Sequence, residues 1–354
     1  MSKTVRERVR GMMYHSPSDM VRDGIARKPR EISVSKAYHA GETSLGYYPI
    51  HLDIETTSIC NLDCPMCPYP EMRIKKGNMT LDLFKNIIDQ CDGKVFDVLL
   101  HMYGEPLVNK ELFNMIAYAK SHGVRITSMS TNLTLLTKEK SKQLIDAGLD
   151  KITLSFDGTD KQTFEEVRLG ANYEKCLENL MGFLEVKQEM KAKNPFTVLQ
   201  IIQMQQTEPG LKEFVDRFSN QPAIDLLKLK SFDTWAGQIQ HKTETMKPST
   251  YHRGNVNDDR KPCPLLWYYM SIRWDGRVVP CCRDYDNHEI LGDITQESLM
   301  EIWNGKRFQS LRREHLQGEY EKSVLCSKCV EWSKYRMPEP VKLMRHVSPV
   351  MRII

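Results

Sequence analysis

Long hydrophobic runs are missing from this chain. No stretch of roughly eighteen apolar residues occurs, the length that a membrane-spanning helix needs, so no membrane partner is expected. The N-terminal MSKTVRERVRGMMYHSPSDM carries basic residues with no apolar segment behind them, so it does not read as a secretory signal. Charge of one sign is also lacking: 50 Lys and Arg face 46 Asp and Glu, and a net +4 on 354 residues is too weak to point to nucleic acid. Ten cysteines in 354 residues are far too sparse for a disulfide scaffold. The expectation is a reduced, cytoplasmic protein of about two domains, at roughly 150 residues each.

What is present is organised. Residues 1–46 hold nine Lys and Arg and five Asp and Glu with little apolar periodicity, and read as an N-terminal arm laid on the surface. From about residue 47 short β-rich runs alternate with amphipathic stretches, the pattern of βα units. Strands are expected at 51–57, 96–102, 124–129, 151–156, 197–203 and 225–230. Thr80 and Thr137 are placed to cap the helices that follow them. Six units define an α/β fold with a parallel barrel, partial or complete, or a doubly wound sheet over 47–235. Residues 236–262 are polar and read as a linker, and 336–354 as a short basic tail. Between them, 263–335 forms a small cysteine-rich domain with a hairpin at Asp275-Gly276, read as a tight turn with positive φ at both residues.

The cysteines cluster. Cys60, Cys64 and Cys67 fall in the loop after the first strand, and three thiolates within eight residues can hold one metal centre with a coordination site left open. Neither Cys nor His follows in the loop 68–79 to close it. A second group comprises Cys263, Cys281, Cys326 and Cys329; four thiolates close a cage, for zinc or for an iron–sulfur cluster. Cys282 reads as a spectator beside it, and Cys91 and Cys176 as small buried hydrophobes on helices.

CxxxCxxC after the first strand of a βα series resembles the radical S-adenosylmethionine (SAM) superfamily. Further segments stand in register with it: Gly104-Glu105-Pro106 after the second strand, Ser130-Thr131-Asn132 at the third, Ser155 and Asp157 at the fourth, and Arg168 beyond. The resemblance implies a partial (β/α)6 TIM-like barrel. It also implies a [4Fe-4S] cluster on Cys60, Cys64 and Cys67, whose fourth iron chelates SAM. The carboxylate of Glu105 then meets the SAM amino group, Ser130, Asn132, Ser155 and Asp157 line the ribose and methionine parts, and Arg168 faces the SAM carboxylate. Two positions depart from the family pattern: Met66, where an aromatic is common, and Leu133, where glycine commonly follows Thr-Asn.

The second group, with twelve residues from Cys263 to Gly276, four to Cys281, and CxxC at 326–329, resembles the SPASM/twitch extension of that superfamily in its short, four-cysteine form. The resemblance implies an auxiliary [4Fe-4S] cluster there. It further implies reductive cleavage of SAM, hydrogen abstraction from a substrate, and an electron donor such as flavodoxin or ferredoxin. The substrate expected is small and carbohydrate-like (a sugar, cyclitol or nucleotide sugar), and the outcome is oxidation, epimerisation or decarboxylation. A peptide- or protein-modifying maturase is the alternative, and a non-catalytic iron–sulfur or zinc protein is the alternative of another class.

Overall fold

The computed structural model describes residues 17–239, 242, 246, 260–335 and 337–340. Most of the expected linker, the first sixteen residues and most of the tail lie outside these. No helix among the described residues is long and apolar enough to cross a membrane.

All six expected strands form: β1 (His51–Ile54), β2 (Asp97–Leu99), β3 (Ile126–Thr131), β4 (Lys151–Ser155), β5 (Phe196–Gln203) and β6 (Leu226–Ser231). They pair in chain order, all parallel. The helices preceding them in the chain are α1 (Pro17–His39), α2 (Leu81–Cys91), α3 (Leu112–Ser121), α4 (Lys138–Asp146), α5 (Lys161–Val167), α6 (Tyr173–Glu189) and α7 (Leu211–Phe218). The caps are where the sequence places them: the Thr80 hydroxyl accepts from Leu83 N and the Thr137 hydroxyl from Lys140 N, each satisfying a free N–H of the first turn.

The sheet has two different faces. Leu52, Val98, Met129, Ile152, Leu154, Leu199 and Leu227 alternate along the strands into one buried apolar core under the helices. Most intervening residues are polar: His51, Asp53, Ser128, Ser130, Lys151, Thr153, Ser155, Gln200, Lys228 and Lys230, with Val198, Ile202 and Leu226 apolar among them. Along β3 and β4 burial alternates between complete and partial, so the polar face remains accessible where the outer face is sealed. A closed barrel would fill its interior with branched apolar side chains. Here the sheet curls instead around a polar lumen: Lys230 on β6 acts electrostatically on His101, just beyond β2, four strands away in the sheet order.

The sheet does not end at β1. After α8 (Leu265–Tyr268), strand β7 (Tyr269–Ile272) lies parallel to the free edge of β1, with His51 beside Tyr269 and Ile54 beside Ile272. Then β8 (Arg277–Val279) and β9 (Gly292–Asp293) add antiparallel, giving nine strands in the order β6-β5-β4-β3-β2-β1-β7-β8-β9. The hairpin differs from the tight turn expected of Asp275-Gly276. Gly276 N–H bonds to Arg273 O at 3.0 Å and Gly276 alone has a positive φ, +93°, so the connection is an ordinary turn followed by a left-handed glycine that corrects the strand twist. Two further helices follow, α9 (Leu299–Trp303) and α10 (Lys306–Gln317), separated at Asn304-Gly305.

The segment expected to lie on the surface is partly core. From Pro17 it forms α1, and Val34, Ala37 and the following Leu45 are fully buried. One short apolar stripe was enough to dock the helix, too short to register as periodicity. Arg27 on α1 reaches Asp97 at the start of β2, which is bonded to His51 on β1; His51 Nε2 lies 2.8 Å from Asp53, itself bonded to Tyr269 on β7. Both ring nitrogens of His51 face carboxylate oxygens, which only accept, so the ring is an imidazolium. Burial works against that charge, but Asp97 and Asp53 outweigh it and hold the pKa up at about 9.

With its pKa raised from 6.5 to about 9, His51 contributes its full stabilisation, roughly 3 kcal/mol, below about pH 6.5, and loses it as the pH rises to about 9. Denaturant midpoints measured across this window should fall in the wild type, and the fall should be mostly absent in His51→Gln. An equal fall in both would show that the cation is not held there.

Candidate active site

The first cysteine loop is closed at its base. Thr57 pairs with Asn78, and Ser58 N–H bonds to Gly77 O at 2.9 Å. Inside it, Tyr69 folds its hydroxyl onto the Cys60 backbone, accepting from its N–H at 3.1 Å and donating to its carbonyl at 3.2 Å. Cys67 N–H bonds to Cys64 O at 3.0 Å, turning the two side chains toward one centre. Beneath the loop sits a second apolar cluster, with Leu62, Met66, Met72, Met102, Tyr103, Val167 and Met204 buried. Met66 fills part of it, a role that needs bulk rather than an aromatic ring.

Gly104 fixes the approach of the next loop. A Cβ there would stand 2.3 Å from Thr57 O and 2.8 Å from Ile59 O, so only glycine allows the two backbones to touch. Glu105 N–H then bonds to Ile59 O at 3.0 Å, and Pro106 opens a single 3-10 turn. The Glu105 carboxylate, fully buried, accepts from Thr131 Oγ1 at 2.9 Å, Asn132 N at 2.7 Å and Leu107 N at 3.2 Å. Burial pushes its pKa above the usual carboxylate range, against these three bonds, which favour the charged form. Asn132 turns its amide to Asn61 Oδ1 at 3.0 Å and, at 3.9 Å, to Cys60 Sγ.

Leu133 occupies the backbone conformation that glycine would take, φ +72°, at a cost of about 1 kcal/mol, with its side chain fully buried in the main core. Ser130 and Ser155 exchange a hydroxyl contact at 3.2 Å across β3 and β4. Asp157 accepts from Ile202 N at 2.6 Å and pairs with Arg168, whose guanidinium also lies 3.9 Å from Cys64 Sγ. Arg168 Nε is buried and without a partner, a donor left for something else in the site. Thus Gly104, Glu105, Pro106, Ser130, Asn132, Ser155, Asp157 and Arg168 gather with Cys60, Cys64 and Cys67 at the C-terminal ends of β1–β4.

Burial drives the thiols away from ionisation: Cys60 up to about 11, Cys67 up to about 12, and Cys64 upward against the neighbouring Arg168. Three buried thiols beside one another fit a centre that brings its own positive charge and converts them to thiolates. Among the described residues no three His, Cys, Asp or Glu side chains stand close enough for a single metal ion. A four-iron cluster sits between its cysteine sulfurs and spaces them more widely than one ion does.

The second group also assembles. Cys263 precedes α8 and Cys281 follows β8, so the hairpin returns the chain to the same end. Cys329 N–H bonds to Cys326 O at 3.1 Å, and the four thiols act on one another electrostatically, Cys263 with Cys329 and Cys326, and Cys281 with Cys326. Burial raises all four, with Cys263 at about 12, and Arg283 opposes the shift at Cys263, Cys281 and Cys329. His315 Nδ1 accepts from Cys263 N at 3.1 Å; burial and Arg260 hold this histidine down to about 3, neutral.

Cys282 lies between the two sites. Its N–H bonds to the Tyr269 hydroxyl at 3.3 Å and its carbonyl accepts from Tyr103, so two lumen tyrosines hold the backbone at the entry to the second group. Cys91 and Cys176 are buried in the core, as expected for small hydrophobes. The lumen residues His101, Lys151, Gln200, Lys228 and Lys230 were not singled out from the sequence. The signal was the alternation in LLKLKS, where lysines take every second position of a strand.

A parallel sheet with three cysteines over its C-terminal end and four more beside it has a donor set that fits iron–sulfur clusters. Residues 54–192 match the radical SAM superfamily, and residues 263–330 match the SPASM iron–sulfur cluster-binding domain. The chain thus joins a radical SAM domain to a C-terminal SPASM domain, as a radical SAM enzyme does. The superfamily brings a SAM-binding [4Fe-4S] cluster, and the SPASM domain brings auxiliary iron–sulfur binding.

Among its relatives is the tungsten-containing aldehyde ferredoxin oxidoreductase cofactor-modifying protein of Pyrococcus furiosus, 24% identical over 301 residues, covering 74% of this chain and 83% of that protein. Another is the S-adenosyl-L-methionine-dependent 2-deoxy-scyllo-inosamine dehydrogenase of Niallia circulans, 22% identical over 292 residues, 78% of this chain and 91% of the relative. The crystal structure of Streptococcus suis SuiB bound to precursor peptide SuiA shares the fold, with a TM-score of 0.61 at 15% identity, over 87% of this chain and 73% of that one.

Gly104→Ala should drive the Glu105 loop off the cysteine loop, at a cost of about 1–3 kcal/mol. Thermal unfolding should shift down by several degrees, and iron bound after anaerobic reconstitution should drop. Unchanged iron content and stability would show that the two loops do not depend on this contact.

Proposed function

We propose that this protein removes a hydrogen atom from a small polar substrate of the sugar, cyclitol or nucleotide-sugar class, leading to oxidation, epimerisation or decarboxylation. One observation carries this reading: the inner face of the sheet presents polar, partly exposed side chains on β3, β4 and β6, a chamber suited to a hydroxyl-bearing molecule. The named activity of the Niallia circulans relative, a cyclitol-type dehydrogenase, supports it.

In this reading Cys60, Cys64 and Cys67 hold the SAM-binding cluster and Cys263, Cys281, Cys326 and Cys329 an auxiliary one. Bound there, the cluster and SAM supply one-electron chemistry strong enough to break a C–H bond. The protein's own residues do the rest. Glu105 offers a buried carboxylate for the SAM amino group and, through Thr131 and Asn132, ties the second loop to the third. Arg168 supplies the spare Nε–H for the SAM carboxylate, while Asp157 holds its guanidinium in place. Ser130, Asn132 and Ser155 provide the neutral hydroxyl and amide partners that the ribose needs. The apolar cluster of Met66, Met102, Met204 and Tyr103 keeps water from this end of the lumen. A flavodoxin- or ferredoxin-type donor supplies the electron, in a reducing cytoplasm that suits ten cysteines none of which forms a disulfide.

Two measurements test this reading. Wild-type protein should bind about eight irons per chain and cleave SAM under reduction; with Cys60, Cys64 and Cys67 changed to Ala, about four irons should remain and cleavage should be lost. Persistent cleavage in that variant, or zinc in place of the remaining four irons, would contradict the assignment. Reduced enzyme and SAM incubated with deuterated sugars, nucleotide sugars and peptides should place deuterium in 5′-deoxyadenosine from a carbohydrate. Transfer from peptides alone would overturn the substrate class.

A further inference from the structure

We infer that the β6 wall of the lumen is an anion subsite, in which Lys228 and Lys230 receive the phosphoryl group of a phosphorylated small-molecule substrate, with Lys151 lower on the same face. The inference rests on the lumen being the substrate chamber and narrows the substrate within the proposed class.

Register puts the three lysines on one face. Lys228 lies beside Gln200 and Gln200 beside Ser155; Lys230 lies beside Ile202, and Lys151 sits at the start of β4. Each is partly buried, and none of the three makes a hydrogen bond or ion pair among the described residues. The carboxylates that reach the lumen are already engaged: Asp53 with His51 and Tyr269, Asp97 with Arg27 and His51, Asp157 with Arg168, Glu105 with Thr131 and Asn132. Asp97 offsets Lys151 in part, while the charge of Lys228 and Lys230 stands without a carboxylate partner among the described residues. Burial, then Lys230 and Lys151, hold Lys228 down to about 7, so a bound dianion would restore its full charge.

A fold gains nothing by holding unpaired, partly buried ammonium groups on one face, since each loses hydration and neighbours repel. Ammonium groups are compact point charges with rotatable donors that bind phosphoryl oxygens from several directions. Across the lumen His101, held down to about 4 by burial with Lys230 and Arg168, is neutral and contributes a polar edge rather than a fourth charge. By register Lys228 lies level with Ser155, Lys230 two residues nearer the C-terminal rim and Lys151 four residues below. A substrate anchored on β6 by its phosphate would extend across the lumen toward β1, whose end leads into the cysteine loop.

Inorganic pyrophosphate is the probe. Isothermal titration of cluster-loaded protein with SAM, at low ionic strength and without reductant, should show one site per chain. Lys228→Met and Lys230→Met should each weaken it about tenfold, and together abolish it. Lys212→Met, on the exposed face of α7, should bind as the wild type does. Thermal unfolding should show Lys228→Met at least as stable as the wild type, because an unpaired buried charge has been removed. Absence of pyrophosphate binding, binding unaffected by the lumen substitutions, or succinate bound as tightly as pyrophosphate would overturn the inference. SAM cleavage by the wild type under reduction is a separate readout, so a failed subsite and a failed radical reading give different results.

Discussion

The parallel ladder between β1 and β7 is the constraint on which the rest of the structure depends. β1 has β2 on one side and β7 on the other, so one short, wholly buried strand belongs to the barrel and to the cysteine-rich segment alike. Its C-terminal end leads into the loop of Cys60, Cys64 and Cys67, and just beyond it Glu55 forms a fully buried ion pair with Arg273, at 3.0 Å, where β7 turns into its hairpin. A buried pair of this kind is poor as a source of stability but demanding in geometry. It fixes the hairpin in register with β1 and, through Tyr103 and Tyr269 on Cys282, fixes the second cysteine group relative to the first.

Sheet patterning then divides the labour. The outer face is apolar and sealed by helices, which supplies the core. The inner face has given up that core for polar and charged side chains, which a parallel sheet does only where the interior is used. The charges at the lower end of the lumen cancel in the chain Arg27–Asp97–His51–Asp53, whereas those on the β6 wall do not. Structural and functional electrostatics thus occupy different parts of one surface.

Much of this was legible in the residues. The βα pattern located all six barrel strands, Thr80 and Thr137 marked their helix starts, and the spacing of the cysteines divided them into the two groups that the fold gathers in two places. Local signals carry that information because they act within a few residues. The pairing of β7 with β1 was not legible, since it joins positions more than two hundred residues apart through backbone bonds that any sequence can make. The docking of α1 was missed for a similar reason: Val34, Ala37 and Leu45 are too few to form a stripe, and only the surface awaiting them makes them core. Leu133 shows the limit of motif reasoning. The backbone keeps the left-handed turn, while the missing glycine is replaced by a side chain that the core absorbs. Lys228 and Lys230 were visible as alternation, but whether they face solvent or a lumen depends on how the sheet curls.

The central claim is that one cysteine set leaves an iron open to SAM and the other leaves none. Mössbauer spectroscopy of fully loaded protein, recorded before and after SAM addition, tests it most directly. The account predicts that one iron in about eight changes its spectrum, and that replacing Cys60, Cys64 and Cys67 removes the changing component while leaving the unchanging cluster. A spectrum indifferent to SAM, or one in which irons of both clusters respond, would contradict it.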